Sequence, residues 1–490
     1  MEKKLGRTSL KINFIFNTVL QILSTIAPLI TAPYISRILG PENIGIYSYT
    51  LSINSYFVLI AGLGTASYGI VEIAKVRDST FERSKTFWGI ELITVLTSIL
   101  SLFMWLFVVG FYKEYRVIFL IQSLYILSAA FDVSWFYLGI EKLKYTVIIN
   151  SFFKIVGVFC IFLFIKSKND LSFYIFILSI STFLGNVSMW LFLPKYILFS
   201  KVKVVDLKEH FKGTFIYFIP TIAATIYSVV DKTLIGVITQ NNVEIGYYEQ
   251  ATKIIGMIRT ISFTSINTLF SSRMSYLFSK KQEDEIHSRL NFSLEFILTL
   301  SLGAFFGIAA ISRCFVPIFF GDGYSKVIIF LILMSPLIPI MGISSSIGYL
   351  YYNPSGNRKK SSNILIIGTI INCVLNVFFI KLYSGNGAII ASLIAESIIT
   401  GLYIVKSNGY VTFAMLFRII YKKIIAGTVM VVFVYLLSCI LELNISALLI
   451  QVVCGGIIYY AILIILHDSF ITDITNKFIH FIRRKSQNEF

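Results

Sequence analysis

Apolar runs of about twenty residues, separated by short polar gaps, make up nearly all of this chain. A run of about 18 or more such residues is long enough to cross the hydrocarbon core as a helix. In the first half the runs fall at 12–36, 44–66, 86–110, 117–138, 146–165 and 173–194. In the second they fall at 214–238, 245–270, 291–312, 327–352, 362–382, 387–405, 418–441 and 445–467. The pattern predicts an all-α polytopic membrane protein of about 14 transmembrane helices, with both termini on one side. The first run is too long for a signal-peptide core, so it reads as a retained span behind the basic segment Met1–Lys11.

Charge orients this map. Of the 42 Lys and Arg, 30 fall on the side of the N-terminus, 8 on the other and four inside spans (Lys154, Lys232, Lys253 and Arg259). Lys and Arg collect in cytoplasmic loops, so both termini are expected in the cytoplasm. The same bias explains the net charge of +17 without nucleic acid, and no nucleic-acid partner is expected. Composition agrees: 56% of residues are hydrophobic and 14% charged, against about 25% charged in soluble domains. The five cysteines and four histidines show no metal-ligand or disulfide spacing, so no metal or cofactor is expected. Loops are short and no Walker-type phosphate loop occurs, which leaves no room for an enzyme or ATPase domain.

An internal repeat subdivides the chain. Ile44-Gly45-Ile46-Tyr47 recurs as Ile245-Gly246-Tyr247-Tyr248, and Tyr115–Ile121 recurs, with two inserted residues, as Tyr324–Ile332. The order is kept, at offsets of 201 and about 210. Two parallel six-helix lobes follow: residues 1–195, a cytoplasmic linker 196–212, and residues 213–410. Residues 411–490 add helices 13 and 14 and a basic tail. Transporters with such repeats bind substrate between the halves near mid-membrane.

Polar groups inside spans are costly and mark candidate sites. Span 7 carries Asp231 and Lys232, with Thr221, Thr225, Ser228 and Lys232 on one stripe. The pair reads either as a cation on a cavity wall or as mutual neutralisation holding helices together. Span 8 carries Glu249, Lys253 and Arg259, and Tyr248, Thr252 and Arg259 share a face. Glu249 and Lys253, four apart, are also spaced for a local salt bridge. In the first half, Asn17, Gln21, Ser24, Pro28 and Thr31 form a stripe ending near Arg37, and Tyr47, Thr50 and Asn54 form another. Small polar residues also pack membrane helices closely, so a structural reading stands beside the functional one. Pro28 and Pro33 allow span 1 to bend. Lys154 is placed to snorkel, and Asp132, Glu91, Glu295 and Glu396 are further intramembrane or span-end acids. Together Arg37, Lys232, Lys253 and Arg259, against Asp231 and Glu249, predict a net cationic cavity suited to an anionic head group.

Five ordered segments carry a family resemblance. They are Arg37–Tyr47, Tyr68–Lys75, Asp132-Val133-Ser134-Trp135 with Gly139 and Glu141, Asp231-Lys232 with Gly246-Tyr247-Tyr248, and Asn353–Asn357 with Gly385–Ala388 and Glu396. In these the chain resembles the polysaccharide-transporter flippases, the O-antigen and capsule repeat-unit (Wzx-type) translocases. Their superfamily, the MATE/MOP group, also holds multidrug extruders and lipid II flippases. Val71 departs from the pattern, since the family often has Arg there. The resemblance implies a flippase, not an enzyme, in a bacterial cytoplasmic membrane. It would move undecaprenyl-diphosphate-linked oligosaccharide to the outer leaflet by alternating access, among membrane lipids, with glycan polymerase and glycosyltransferases as partners. In that logic the four cations receive pyrophosphate or acidic sugars, while Asn17, Gln21, Tyr47, Asn54, Asp231, Tyr248 and Glu249 are polar or ion-coupling candidates. A multidrug extruder is the alternative. It would want an acidic cavity.

Overall fold

The computed structural model describes residues 10–201 and 203–476, with side chains from Leu29 onward except at 143, 145, 147, 265 and 269. The chain is 87% helix with no strand among the described residues. Among the described residues, ten helices are long and apolar enough to cross a membrane, or eleven if the bent pair Ser325–Met334 and Leu337–Tyr352 counts as one span. Three causes separate this from the predicted fourteen. Runs 12–36 and 44–66 lie in one helical stretch, the run 146–165 gives only the shorter apolar helix Ile148–Phe164, and the run 245–270 is diluted by Glu249, Lys253 and Arg259. The chain divides into two compact units, residues 1–246 and 247–490.

The first unit contains α1 (Leu10–Gly62), α2 (Thr65–Val76), α3 (Thr80–Phe111), α4 (Arg116–Ala130), α5 (Ser134–Gly139), α6 (Leu143–Phe164), α7 (Leu171–Met189) and α8 (Val204–Thr239). It also contains the start of α9 (Asn242–Arg259). Within α1 the backbone breaks at Gly40, whose φ of 77° only glycine adopts cheaply. Pro41 then opens the following helix, where its missing N–H costs nothing. Asn43 fastens the break through its Nδ2, which donates to the Leu39 carbonyl at 3.1 Å and the Lys168 carbonyl at 2.8 Å. The Arg37–Tyr47 motif is thus the corner of α1.

A few residues farther on, the two copies of the repeated tetrapeptide meet. A Cβ on Gly45 would lie 1.7 Å from the Asn242 carbonyl oxygen, and one on Gly246 would lie 1.9 Å from that of Pro41. Backbone touches backbone there, as small residues permit in membranes.

α8 packs on α1, α2 and α3, so the seventh predicted span lies with the first unit. Gly213 of α8 faces the Tyr68 ring, Gly89 of α3 faces the His210 ring, and the Tyr68 hydroxyl is 3.0 Å from His210 Nδ1. The stretch before α8 is strapped to α3. Arg83, 4% exposed, donates to the Tyr196 carbonyl at 2.7 Å, and Trp88 Nε1 donates to the Leu198 carbonyl at 3.0 Å.

The second unit holds most of α9, then α10 (Ser265–Ser279), α11 (Glu283–Phe320), α12 (Ser325–Met334), α13 (Leu337–Ile347), α14 (Arg358–Tyr383), α15 (Gly385–Val405), α16 (Phe413–Ile440) and α17 (Ile445–Ile465). Wide π-turns at Thr260–Thr264 and Gly348–Tyr352 interrupt it. α16 and α17 both pack on α11. Gly427 admits the Phe306 ring, and the Tyr459 hydroxyl donates to the Thr299 carbonyl at 3.0 Å. The first part of α16 and the residues just after α17 are joined by a buried ion pair: Lys423 Nζ lies 2.9 Å from Asp468 Oδ2, with side chains 1% and 5% exposed.

Candidate functional site

The predicted site residues fall in both units. Arg37, Tyr47, Asn54, Asp231 and Lys232 lie in the first, and Tyr248, Glu249, Lys253 and Arg259 in the second. The side chains of Asn17 and Gln21 lie outside the described residues.

In the first unit, two candidates turn inward. Asn54 is fully buried and its Nδ2 donates to the Gln122 carbonyl at 3.3 Å. The Gln122 side chain in turn donates to Thr50 Oγ1 at 2.9 Å. This knot ties α1 to α4, which is the structural reading of that polar stripe. Tyr47 is half-buried and packs edge-on against Tyr174 of α7. Arg37 is exposed, three residues before the Gly40 break in α1.

Asp231 and Lys232 are half-buried on α8. One residue on, Thr233 donates to Ser52 Oγ at 2.9 Å and lies 3.0 Å from the Tyr56 hydroxyl. One turn farther, Gly236 receives the Tyr49 ring. Ser52, Tyr56 and Thr233 therefore fix the face that α8 turns to α1, and with it where Asp231 and Lys232 sit. The sequence reading missed this clasp, although Thr233 directly follows the flagged pair.

In the second unit, Lys253 Nζ meets Glu249 Oε1 at 3.2 Å, the local salt bridge their spacing allowed. Tyr248 is 4% exposed and packs edge-on against Phe330 of α12. Its carbonyl accepts from the Thr252 hydroxyl at 2.7 Å. Arg259 ends α9 immediately before the π-turn, and its guanidinium lies 5.9 Å from the Phe263 ring centroid. The wide turn leaves carbonyls needing donors. The Thr260 hydroxyl serves Gly256 at 3.0 Å and the Thr264 hydroxyl serves Arg259, five residues back, at 3.4 Å. Such π-turns recur at functional positions in helices, and no residue pattern announced this one.

Among the other acids, Glu91, Glu396 and Glu295 lie on α3, α15 and α11, the first two buried and the third half-buried. Lys154 is exposed on α6. No group of three or more His, Cys, Asp or Glu able to hold a metal occurs among the described residues.

A chain of many apolar helices in two compact units is a multi-pass membrane protein. It aligns with the structure of the lipid II flippase MurJ in an inward closed conformation at TM-score 0.73 and 19% identity, covering 94% of this chain and 99% of that one. An inward-facing multidrug resistance MATE transporter aligns at TM-score 0.55 and 14% identity, over 83% of this chain and 98% of that one. The family model described as polysaccharide biosynthesis protein matches residues 10–270, and the chain belongs to that family. It is 24% identical to a putative O-antigen transporter of Escherichia coli (strain K12), over 82% of this chain and 98% of that protein. It is 25% identical to the probable low-salt glycan biosynthesis flippase Agl15 of Haloferax volcanii, over 40% of each chain.

Proposed function

We propose that this protein flips undecaprenyl-diphosphate-linked oligosaccharide repeat units from the cytoplasmic to the outer leaflet of a bacterial cytoplasmic membrane, for capsule or O-antigen assembly. The observation that carries this is likeness to a putative O-antigen transporter over 98% of that protein's length. The fourteen-span topology with cytoplasmic termini, and the lobes at 1–195 and 213–410, belong to the same proposal. Their support is the excess of Lys and Arg on the N-terminal side and the order-preserving repeat. Glycosyltransferases that build the repeat unit and a polymerase that consumes it are the expected partners.

In this reading Arg37, Lys232, Lys253 and Arg259 receive the anionic head group. Arginine suits phosphate because its planar fork donates two parallel hydrogen bonds. Export of an anion is also favoured by an inside-negative potential, by about 2.3 kcal/mol per charge per 100 mV. Tyr47, Asn54, Tyr248, Asp231 and Glu249 then shape and balance the cationic groups.

The test is translocation of a fluorescent polyprenyl-diphosphate oligosaccharide in proteoliposomes, comparing wild type with Arg259→Ala and Lys232→Ala at matched abundance. Movement by wild type and its loss in either variant supports function and site together. Equal movement by all three keeps the function and removes the site. The MATE-like fold gives the extruder alternative one support. Expulsion of a small organic cation without lipid movement would put that alternative in its place.

A further inference from the structure

The Asp132–Trp135 motif has no task in the proposed transport cycle, and it packs one helical turn from a residue that has none either. Glu91 on α3 is 2% exposed, and neither of its carboxyl oxygens has a hydrogen-bond partner. The indole Nε1–H of Trp135, on α5 and 1% exposed, also has no partner. Phe87, one turn before Glu91 on the same face of α3, stacks on the Trp135 ring at 5.5 Å between centroids and 19° between planes. Gly69 of α2 gives the indole its place, since a Cβ there would fall 2.3 Å from it. Asp132 receives the Ser134 N–H at 2.9 Å, which opens α5.

An enclosed carboxylate with neither a cation nor a donor costs several kcal/mol. Several charged groups on α3 and on the elements packed against it have partners of their own. On α3 itself, Arg83 serves the Arg77 and Tyr196 carbonyls. Lys85 pairs with Asp206 of α8 at 3.1 Å. On α2, Lys75 pairs with Glu72 at 2.7 Å, and Tyr68 bonds His210 of α8. Glu82 in the first turn of α3 and Glu209 on α8 are acids and so add no positive charge, and Lys208, Lys212, Asp231 and Lys232 are the further charged groups of α8. Arg37 and Glu42 lie on the part of α1 near the Gly40 break, and Arg116 opens α4. A hard cation such as calcium takes six to eight oxygens, and the described residues offer no cluster of such ligands. A proton needs one.

We propose that Glu91 is a proton-binding site of the first unit, neutral while the α2–α3–α5 corner encloses it and able to release its proton when that corner admits water. Its role in driving transport rests on the flippase reading: one proton is taken up by the carboxylate in one conformation and given back to water in the other. No other bond is made or broken.

Two measurements on the full chain separate the site from that reading. Infrared difference spectroscopy on the purified protein in lipid at neutral pH, wild type minus Glu91→Gln, is expected to show a carboxylic C=O stretching band that the substitution removes. Glu91→Asp should shift the band rather than erase it, which serves if the glutamine variant does not fold. A carboxylate band in its place overturns the proposal whatever the protein transports. In proteoliposomes with the fluorescent polyprenyl-diphosphate oligosaccharide, an imposed pH gradient should speed wild-type movement several-fold and leave the rate of Glu91→Gln unaltered. An equal response in both chains overturns the coupling role. If wild type moves no lipid, the flippase reading fails and the infrared result alone decides the proton site.

Discussion

Replacing Lys423 with Met strands the Asp468 carboxylate where only 4% of the residue reaches solvent. The loss is the 2.9 Å contact to Lys423 Nζ, which also donates to the Ile419 carbonyl at 3.1 Å. Removing one member of a buried pair costs about 3–5 kcal/mol. The lower end is expected here, because the Ile471 N–H still reaches Asp468 Oδ1 at 3.2 Å. Asp468→Leu is worse placed, since it leaves an ammonium with one carbonyl partner and also removes the contact to the Ile471 N–H. The double variant Lys423→Met/Asp468→Leu has no stranded charge. Two apolar groups of similar volume replace a buried pair at little or no cost, so the remaining loss is that backbone contact, about 1 kcal/mol. Unfolding midpoints of the four chains in mixed detergent micelles give the cycle. The double variant should be more stable than either single one, with a coupling energy of about 3 kcal/mol or more. Two single losses that add to the double within about 0.5 kcal/mol would show that the pair does not hold α16 to the segment after α17.

Further outcomes follow from contacts elsewhere. Gly45→Ala and Gly246→Ala should each abolish the folded monomer on size-exclusion chromatography, because the added Cβ meets main-chain atoms at 1.7 and 1.9 Å. A normal elution profile for either would refute the close crossing. Gln122→Ala removes the donor to Thr50 and should cost about 1 kcal/mol, the scale of polar contacts between membrane helices; no change in unfolding midpoint would refute it. Deleting Ile261, whose side chain is 70% exposed, should restore an ordinary helix and turn Arg259 by about 100° relative to α10. Lipid movement is then expected to fall to background while elution stays normal, and wild-type movement would show that the π-turn does not set the direction of Arg259.

Much of the helical plan was legible because burial in a membrane is written as length: a run of apolar residues ends where the solvent changes. The Glu249–Lys253 bridge was legible because it is local, fixed by a spacing of four on one helix. Contacts between distant segments were not. Asn54 reads as cavity-lining until Gln122, 68 residues away, is seen beside it. Thr233 has nothing in its neighbourhood to announce Ser52, 181 residues earlier. Glu91 was visible as an intramembrane acid, but its burial one turn beyond the Phe87 ring that stacks on Trp135 depends on packing between elements. The repeated Gly45 and Gly246 were found as a pattern, and only packing showed why each must lack a side chain. The Thr260–Thr264 turn has no signature at all, because one extra residue per turn leaves composition unchanged.

The strap that ties Arg83, Ser84 and Trp88 to residues 196–198 changes how the stretch before α8 should be treated at the bench. Read as sequence, 196–212 is a slack connector. In the fold its first residues are pinned and its last nine are already helix, so the slack shrinks to a few positions around 199–201, with Phe199 and Lys201 exposed. Exposed tips of this kind accept insertions and cuts, while strapped backbone does not. A protease site or epitope placed between residues 200 and 201 is therefore the insertion the chain is best built to carry. Cleavage there should yield two fragments that stay together through detergent purification, because α8 remains seated on α1, α2 and α3 through Thr233, Gly213 and His210. The same insertion moved to 196 or 210 would displace part of the packing itself.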